Sequence, residues 1–564
     1  MAETDTDTMN KLNVTNSPDY NALENIPAWM NKIMLGQKNY QESSSEGHQK
    51  SVFIQALHHH VQHSPDGLAV AEEDVQYTWA QWHKEVHRLS ALLLNAGVGK
   101  GDHVAVMLEN RWQVLALFLA LRRLGAVMVP MNLTWAPQDM VYVCQHANPK
   151  LFVTQSRFIP SLQQLPNFSL PVGLIDVSEQ DMASMGWTNS GALFSFNTTD
   201  TTAHNQEADQ SSQSVHVDGE ALALLLYTSG TTGKPKGVML SEQNLWANIQ
   251  GIVGTGMFQS EDRLLVALPL FHCYGLTLSL SAMVLGLPIV LEPTFMPKRL
   301  LQSLVRYQVS VLPLVPTLFQ VLGGALAKGQ VTLPDLRLCV SGGASLPPVV
   351  LSQFKEQFNI TILEGYGMTE ASPVVAVNRL AQGPIVGSVG LPLHNVDVRL
   401  EGDLGEVWVR GDNVMMGYYQ ASDITKETLT DEGWLKTGDL GRLDEAGNLY
   451  LTGRAKELII KAGENVSPVA IEHALLNHQQ VKEVCVVGKP DEKLGEKIVA
   501  IIVPEELDEK NELNESSVKV FARGVLSSFQ VPDDILFWAE LPKNGAGKIV
   551  RRLVQQQMIN GTSE

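Results

Sequence analysis

ALALLLYTSGTTGKPKG, residues 221–237, joins an apolar run to a loop of small, hydroxyl-bearing and basic residues. Ala221–Tyr227 is predicted to be a buried strand. The segment SEQNLWANIQ, starting at Ser241, is predicted to be a helix with Ser241 as its N-cap. A strand, a small flexible loop and a helix form a scaffold suited to phosphate. Gly230, Gly233 and Gly237 let the backbone come close to an anion and turn its N–H groups inward. Ser229, Thr231 and Thr232 add hydroxyl donors, Lys234 and Lys236 add positive charge, and Pro235 stiffens the loop between the lysines. The spacing excludes a Walker A loop, because two residues separate Gly230 from Gly233 and a proline follows Lys234.

Four further motifs lie downstream. In ITILEGYGMTEAS (360–372) a predicted strand runs into a loop holding Tyr366, Gly367, Thr369 and Glu370. An aromatic ring can stack on a purine, a threonine hydroxyl can bond a phosphate, and a carboxylate can ligate an oxygen-seeking cation. GWLKTGDLG (433–441) presents Asp439, a carboxylate able to accept two hydroxyls at once, or an ordinary turn aspartate. GRAKELIIKAGENVSP (453–468) carries Arg454, Lys456 and Gly463, and PKNGAGKIVRR (542–552) carries Lys548 in a glycine-rich loop. Taken alone, Lys548, Arg551 and Arg552 read equally well as a solvated basic patch.

YTSGTTGKPKG and YGMTE together closely resemble motifs of the acyl-adenylate-forming superfamily, which includes acyl-CoA synthetases, coumarate-CoA ligases, luciferases and peptide-synthetase adenylation domains. The resemblance implies an α/β fold: a large N-terminal domain of parallel-sheet subdomains with a small β-rich subdomain, and a smaller mobile α+β C-terminal domain. It implies that Thr228, Ser229, Gly230, Thr231, Thr232, Gly233 and Lys236 hold the ATP phosphates. Tyr366 and Gly367 would sit at the adenine, Thr369 at the α-phosphate, Glu370 on magnesium, and Asp439 and Arg454 on the ribose. PLFHCYG (269–275) resembles an acyl-site motif, making His272 a gate beside the acid; the other reading is a satisfied core histidine. RLCVSGGASLPP (337–348) resembles the turn that touches the acyl chain, and Gly342, Gly343 and Ala344 would leave room there. Lys456 takes the hinge position, Gly463 the surface used with coenzyme A, and Lys548 the position of the catalytic lysine. The activity implied is an AMP-forming acid–CoA ligase using ATP, magnesium and coenzyme A; the apolar segment 264–291 and the small-residue turn at 342–344 fit a medium- or long-chain fatty acid as its substrate. An aryl acid such as coumarate or benzoate, an acyl-AMP ligase without coenzyme A activity and a luciferase-like oxygenase stay open.

Composition agrees with an enzyme of several domains. A chain of 564 residues exceeds one ordinary core. A net charge of −19 argues against nucleic acid and gives no pull toward anionic lipid, although peripheral membrane contact stays open. Four scattered cysteines without a CxxC argue against a disulfide framework and for a reducing compartment, the cytoplasm. Leu264–Leu291 lacks Asp, Glu, Lys and Arg, yet Pro269, His272, Gly275, Gly286 and Pro288 break it into strand, turn, helix and strand, so a membrane span is not expected. The expected domains are a mobile tail over 1–45, an AMP-binding domain over 46–455 with a disordered loop at 198–217, and a C-terminal domain over 456–564; a monomer or homodimer fits. Residues 68–155 alternate βαβ, beginning with a hairpin of LAVAEED and VQYTWA. Residues 51–66 are predicted helical, with His59 and His63 one turn apart on a solvated face rather than on a metal.

Overall fold

The computed structural model describes residues 29–30, 51–182, 187, 191–197, 219–228, 234–328, 332–505, 513–543 and 548–561. The expected loop at 198–217 and residues 229–233 of the phosphate loop lie outside them. So does most of the expected tail, within which Met30 is buried and Trp29 stacks on His59.

The fold is α/β, with a nine-stranded and an eight-stranded sheet, a four-stranded antiparallel sheet over 397–454, and a last sheet over 459–537. The two large sheets share a layer of buried helices. Their strands are apolar on both faces, as parallel strands covered on both sides must be. Leu338 and Val340 point into the shared core while Cys339 between them points to the outer helices, and Val104 and Val106 alternate with Ala105 and Met107 in the same way. The helices Val52–His63, Trp112–Leu124, Glu242–Gly254 and Cys273–Leu285 contribute to that central core. Arg122 and Glu242 tie three of them together: Arg122 Nε donates to Glu242 Oε2 at 2.9 Å, and Glu242 Oε1 accepts the Val52 N–H at 2.6 Å. No helix among the described residues is long and apolar enough to cross a membrane.

Several pairings depart from the sequence expectation. The hairpin Leu68–Glu72/Val75–Thr78 does not join the βαβ sheet that follows it; Val70–Glu72 pairs in parallel with Ile289–Leu291 in the other sheet. Its second strand ends at Thr78, because a capping box between Thr78 and Gln81 starts the next helix at Trp79. The phosphate loop does not pass straight from strand to helix. Leu222–Thr228 and Lys236–Ser241 form an antiparallel hairpin, with Thr228 opposite Lys236, and only then does Ser241 cap the helix. The strand Gly417–Tyr418 leaves the small β-rich unit and adds to this hairpin, placing Tyr418 opposite Val238.

Candidate active site

The strand Thr361–Gly367 and the short helical turn Thr369–Ala371 carry Tyr366, Thr369 and Glu370. Buried side-chain amides hold this turn in place. Asn248 Nδ2 donates to Ala371 O at 3.2 Å and to Val374 O at 2.7 Å, and Asn413 Nδ2 donates to Ala371 O at 2.9 Å. Tyr366 Oη donates to Asp439 Oδ2 at 2.6 Å. Asp439 lies directly across the antiparallel pair from Arg454, whose Nε sits 2.8 Å from Asp439 Oδ1. Burial, and then the Asp439 charge, push the Tyr366 phenol well above its ordinary value. Burial works against the Arg454 cation, but Asp439 and Glu457 outweigh it. Thr437 supports the carboxylate: its hydroxyl accepts the Asp439 N–H at 3.0 Å and donates to Val407 O at 2.6 Å.

Glu370 faces the phosphate hairpin. Tyr418 Oη donates to Glu370 Oε1 at 2.9 Å, and Lys236 Nζ lies 5.2 Å from the centre of the Tyr418 ring. Lys234 turns away, over Tyr142, at 5.0 Å. The half-buried Glu370 carboxylate keeps an oxygen free of Tyr418, a donor of the hard type that magnesium prefers. Ser229, Gly230, Thr231, Thr232 and Gly233 lie outside the described residues; Thr228 and Lys236 face each other at the mouth of the loop.

Lys548 reaches solvent yet is crowded by protein, as expected of a group lining a cleft. This crowding, then Arg454, hold its ammonium below its ordinary value, while Asp439 and Glu457 pull the other way. The lysine is thus within electrostatic range of the Tyr366–Asp439–Arg454 cluster. Arg551 is no surface patch. Its guanidinium begins the helix Arg551–Asn560, bonds Glu457 Oε2 at 2.9 Å and Glu472 Oε2 at 3.1 Å, and donates to Val486 O at 2.6 Å.

His272 caps the helix Cys273–Leu285. Burial holds its imidazole down to about 4, so it is neutral, and its buried Nε2 has no hydrogen-bond partner among the described residues. The room expected beside Gly342 is taken. A Cβ there would meet Cζ of Tyr274 at 3.1 Å, and Tyr274 Oη donates to Val340 O at 3.0 Å. Gly343 and Ala344 are exposed. Under this turn Glu364 Oε1 accepts the Leu346 N–H at 2.9 Å, and burial pushes the carboxyl up to about 7. Lys456 is exposed in the short turn Ala455–Glu457. Ala462 and Gly463, with φ of 52° and 87°, form the tight turn between Ile459–Lys461 and Glu464–Val466.

Tyr418, Thr437, Asn248 and Asn413 were not picked out from the sequence. Thr437 had a local cue, its place two residues before Asp439 in GWLKTGDLG; the other three are brought in by partners distant in sequence.

Residues 57–419 match the family model for the AMP-binding enzymes, and residues 470–548 match that for the AMP-binding enzyme C-terminal domain. Sulfoacetate–CoA ligase of Cupriavidus necator is 34% identical over 471 residues, 81% of this chain and 87% of that one. Long-chain-fatty-acid–CoA ligase of Bacillus subtilis is 31% identical over 528 residues, 88% and 93%. The structure of Bacillus subtilis o-succinylbenzoate coenzyme A synthetase with ATP and magnesium ion superposes with a TM-score of 0.72 at 25% identity, covering 89% of this chain and 99% of that one. The chain belongs to the AMP-binding enzymes. Within them it is an acid–CoA ligase of the AMP-forming kind.

Proposed function

We propose that this ligase activates an apolar monocarboxylic acid, a medium- or long-chain fatty acid, as its acyl-adenylate and transfers the acyl group to coenzyme A. One observation carries the choice of acid. A neutral, half-buried His272, whose buried Nε2 has no partner among the described residues, heads a buried helix, Cys273–Leu285, that contains no charged residue. A buried polar nitrogen without a partner is costly, and a carboxyl head group would satisfy it while the apolar tail follows the helix.

In the first half-reaction a carboxylate oxygen attacks the α-phosphorus of ATP, and the bond to the β-phosphate bridging oxygen breaks to release pyrophosphate. Two anions must meet, so the barrier is largely electrostatic. Lys548 supplies a compact positive charge between the carboxylate and the α-phosphate, and Thr369 supplies a hydroxyl to the same phosphate. Tyr366 and Gly367 line the adenine. Asp439 already accepts from Tyr366 and Arg454, but an ionised carboxylate has about four acceptor sites, leaving capacity for ribose hydroxyls. Thr228, the 229–233 loop and Lys236 hold the β- and γ-phosphates. Glu370 would hold magnesium, which supplies charge neutralisation for the polyphosphate when bound. In the second half-reaction the coenzyme A thiol gives up its proton to solvent as its sulfur bonds the acyl carbon, the acyl carbon–phosphate oxygen bond breaks, and AMP leaves with that bonding pair to give the thioester. The unit from Lys456 onward would rotate about that residue, withdrawing Lys548 and presenting Gly463 and its turn.

A second reading, a compact aryl acid, draws on Tyr274, whose ring fills the space beside Gly342. The test is coenzyme A-dependent AMP release over fatty acids of increasing length, coumarate, benzoate and sulfoacetate. The highest kcat/KM should fall on a fatty acid. Preference for coumarate or benzoate would establish the second reading, and preference for sulfoacetate would overturn both.

A further inference from the structure

Six histidines gather where the helices Val52–His63 and Trp79–Asn95 meet, and the adenylation chemistry uses none of them. The pair of half-buried His59 and exposed His63 does not converge on a common point: the rings stack at 4.1 Å, and His63 Nδ1 bonds the His59 carbonyl at 2.8 Å. The residue beside His59 behaves differently. His58 brings its ring within 5.3 Å of the His83 ring, on the other helix. His83 and His87 lie four residues apart and so share one helix face. Their Nε2 atoms are 3.1 Å apart. One ring nitrogen from each of His58, His83 and His87 lies within 4.8 Å of those of the other two, and all three side chains are half-buried.

Zinc–imidazole bonds of about 2.0–2.1 Å at a tetrahedral angle put two ligand nitrogens roughly 3.3 Å apart. His83 and His87 are already near that spacing. Arg123, at the end of the helix Trp112–Leu124, directs Nη1 at His87 Nε2 from 3.0 Å. A guanidinium only donates, so His87 Nε2 carries a lone pair. That single lone pair faces Arg123 and His83 together, an arrangement that two N–H groups satisfy poorly. Burial above all holds His83 down to about 4 and His87 to about 3, leaving both imidazoles neutral at neutral pH, the form that binds metal. An all-imidazole donor set suits late first-row ions rather than magnesium or calcium.

We propose that His58, His83 and His87 form a three-histidine site for a late first-row divalent cation such as Zn²⁺, apart from the Glu370 site, with Arg123 as the built-in competitor for His87 Nε2. Binding would draw the three rings onto the ion and turn the guanidinium aside. The Arg123 charge sets the affinity, because it must be displaced or tolerated next to the metal.

The test is titration of the metal-free, full-length protein with ZnCl₂, followed by calorimetry, and with CoCl₂, followed by visible absorption. One equivalent of Zn²⁺ should bind, and Co²⁺ should give the visible bands of a four-coordinate ion. The double variant H83N/H87N should lose that equivalent. His58→Asn should weaken it by about ten-fold or more. Arg123→Gln should tighten it several-fold, a change that a merely structural role for the cluster would not produce. The double variant H59N/H63N should leave it intact. Unchanged ATP binding shows that each variant is folded; if H83N/H87N fails this check, His58→Asn and Arg123→Gln decide. Zn²⁺ that stays bound in H83N/H87N, that is lost in H59N/H63N, or that never binds overturns the assignment.

Discussion

Tyr366 and Lys548 come to the same Asp439–Arg454 pair by opposite means. Tyr366 sits on a strand of the nine-stranded sheet, its hydroxyl fixed to Asp439, and Asp439 is fixed to Arg454 across a strand pair and to the Thr437 hydroxyl below. Each member is placed by backbone pairing that would persist with the cleft empty. Lys548 immediately precedes Ile549, which bridges to Lys543, and stands just ahead of the helix that Arg551 begins. Arg551 anchors to Glu472 and Val486 within its own unit, and to Glu457 beside the proposed hinge. On the proposed reading, the nucleotide-binding groups are held by strand pairing in the nine-stranded and four-stranded sheets, whereas the lysine for the chemistry belongs to the unit proposed to move. An enzyme that must expose its adenylate to a second substrate gains from that division, since retracting one side chain need not disturb the nucleotide.

The comparison breaks most readily at the lysine. Lys548→Ala should lower acid-dependent pyrophosphate exchange by about a hundred- to a thousand-fold, with ATP affinity within a few-fold and thioester formation from supplied acyl-adenylate largely kept. Equal loss of both half-reactions would mean that the lysine is not confined to adenylation. Asp439→Ala should act on the other side, leaving the Tyr366 hydroxyl and Arg454 without their acceptor. We expect the KM for ATP to rise about ten- to a hundred-fold and urea stability to fall by about 1–3 kcal/mol, the lower end reflecting the 44% exposure of Arg454.

Arg551→Ala sharpens the contrast. It leaves Glu472 and Glu457 without their shared cation, and should destabilise the last unit by about 2 kcal/mol. Adenylation should fall with it while ATP binding to the rest of the chain stays, as read by limited proteolysis beside nucleotide titration. A further effect concerns the rigid side and depends on pH. Glu364 has its carboxyl raised from 4.5 to about 7 by burial. The folded protein thus binds this proton more tightly than the unfolded chain, so stability falls as pH rises from about 4.5 through 7 and stays lowered above it, by up to about 3 kcal/mol. Glu364→Gln keeps an acceptor for the Leu346 N–H. It should remove this slope, being more stable than the parent at pH 8 and nearly equal at pH 4; parallel pH–stability curves for the two proteins would contradict it.

Much of this was legible in the sequence because the chemistry is written in contiguous motifs. YGMTE sets Tyr366, Thr369 and Glu370 on one strand end, and the TGD segment, read as open to a turn but found within the strand Leu435–Leu443, brings Asp439 to Tyr366. The helix cap at Ser241 and the strand–turn–helix–strand order of residues 264–291 follow local rules and appear as read. What escaped depends on partners far along the chain. The hairpin at 68–78 pairs with 289–291, and nothing local distinguishes that edge from the strand at 103–107. Tyr418 was passed over because only two residues of pairing with the distant phosphate hairpin bring its hydroxyl to Glu370. Arg551 read as a solvated charge because Glu457 and Glu472 are more than seventy positions away. The room beside Gly342 looked vacant because the ring that fills it belongs to Tyr274.

The pairing of residues 70–72 with 289–291 also bears on the order in which a nascent chain can assemble. The first hairpin leaves the ribosome with its hydrogen-bonding edge uncommitted and waits for roughly two hundred more residues before its neighbour exists. The eight-stranded sheet waits longer, since its terminal strand is Gly417–Tyr418. The last sheet needs only 459–537 and can close on its own within a short span of synthesis. Slowing translation before residue 291 would therefore prolong the exposure of an unpaired strand edge, whereas slowing it after residue 459 would find both large sheets already complete.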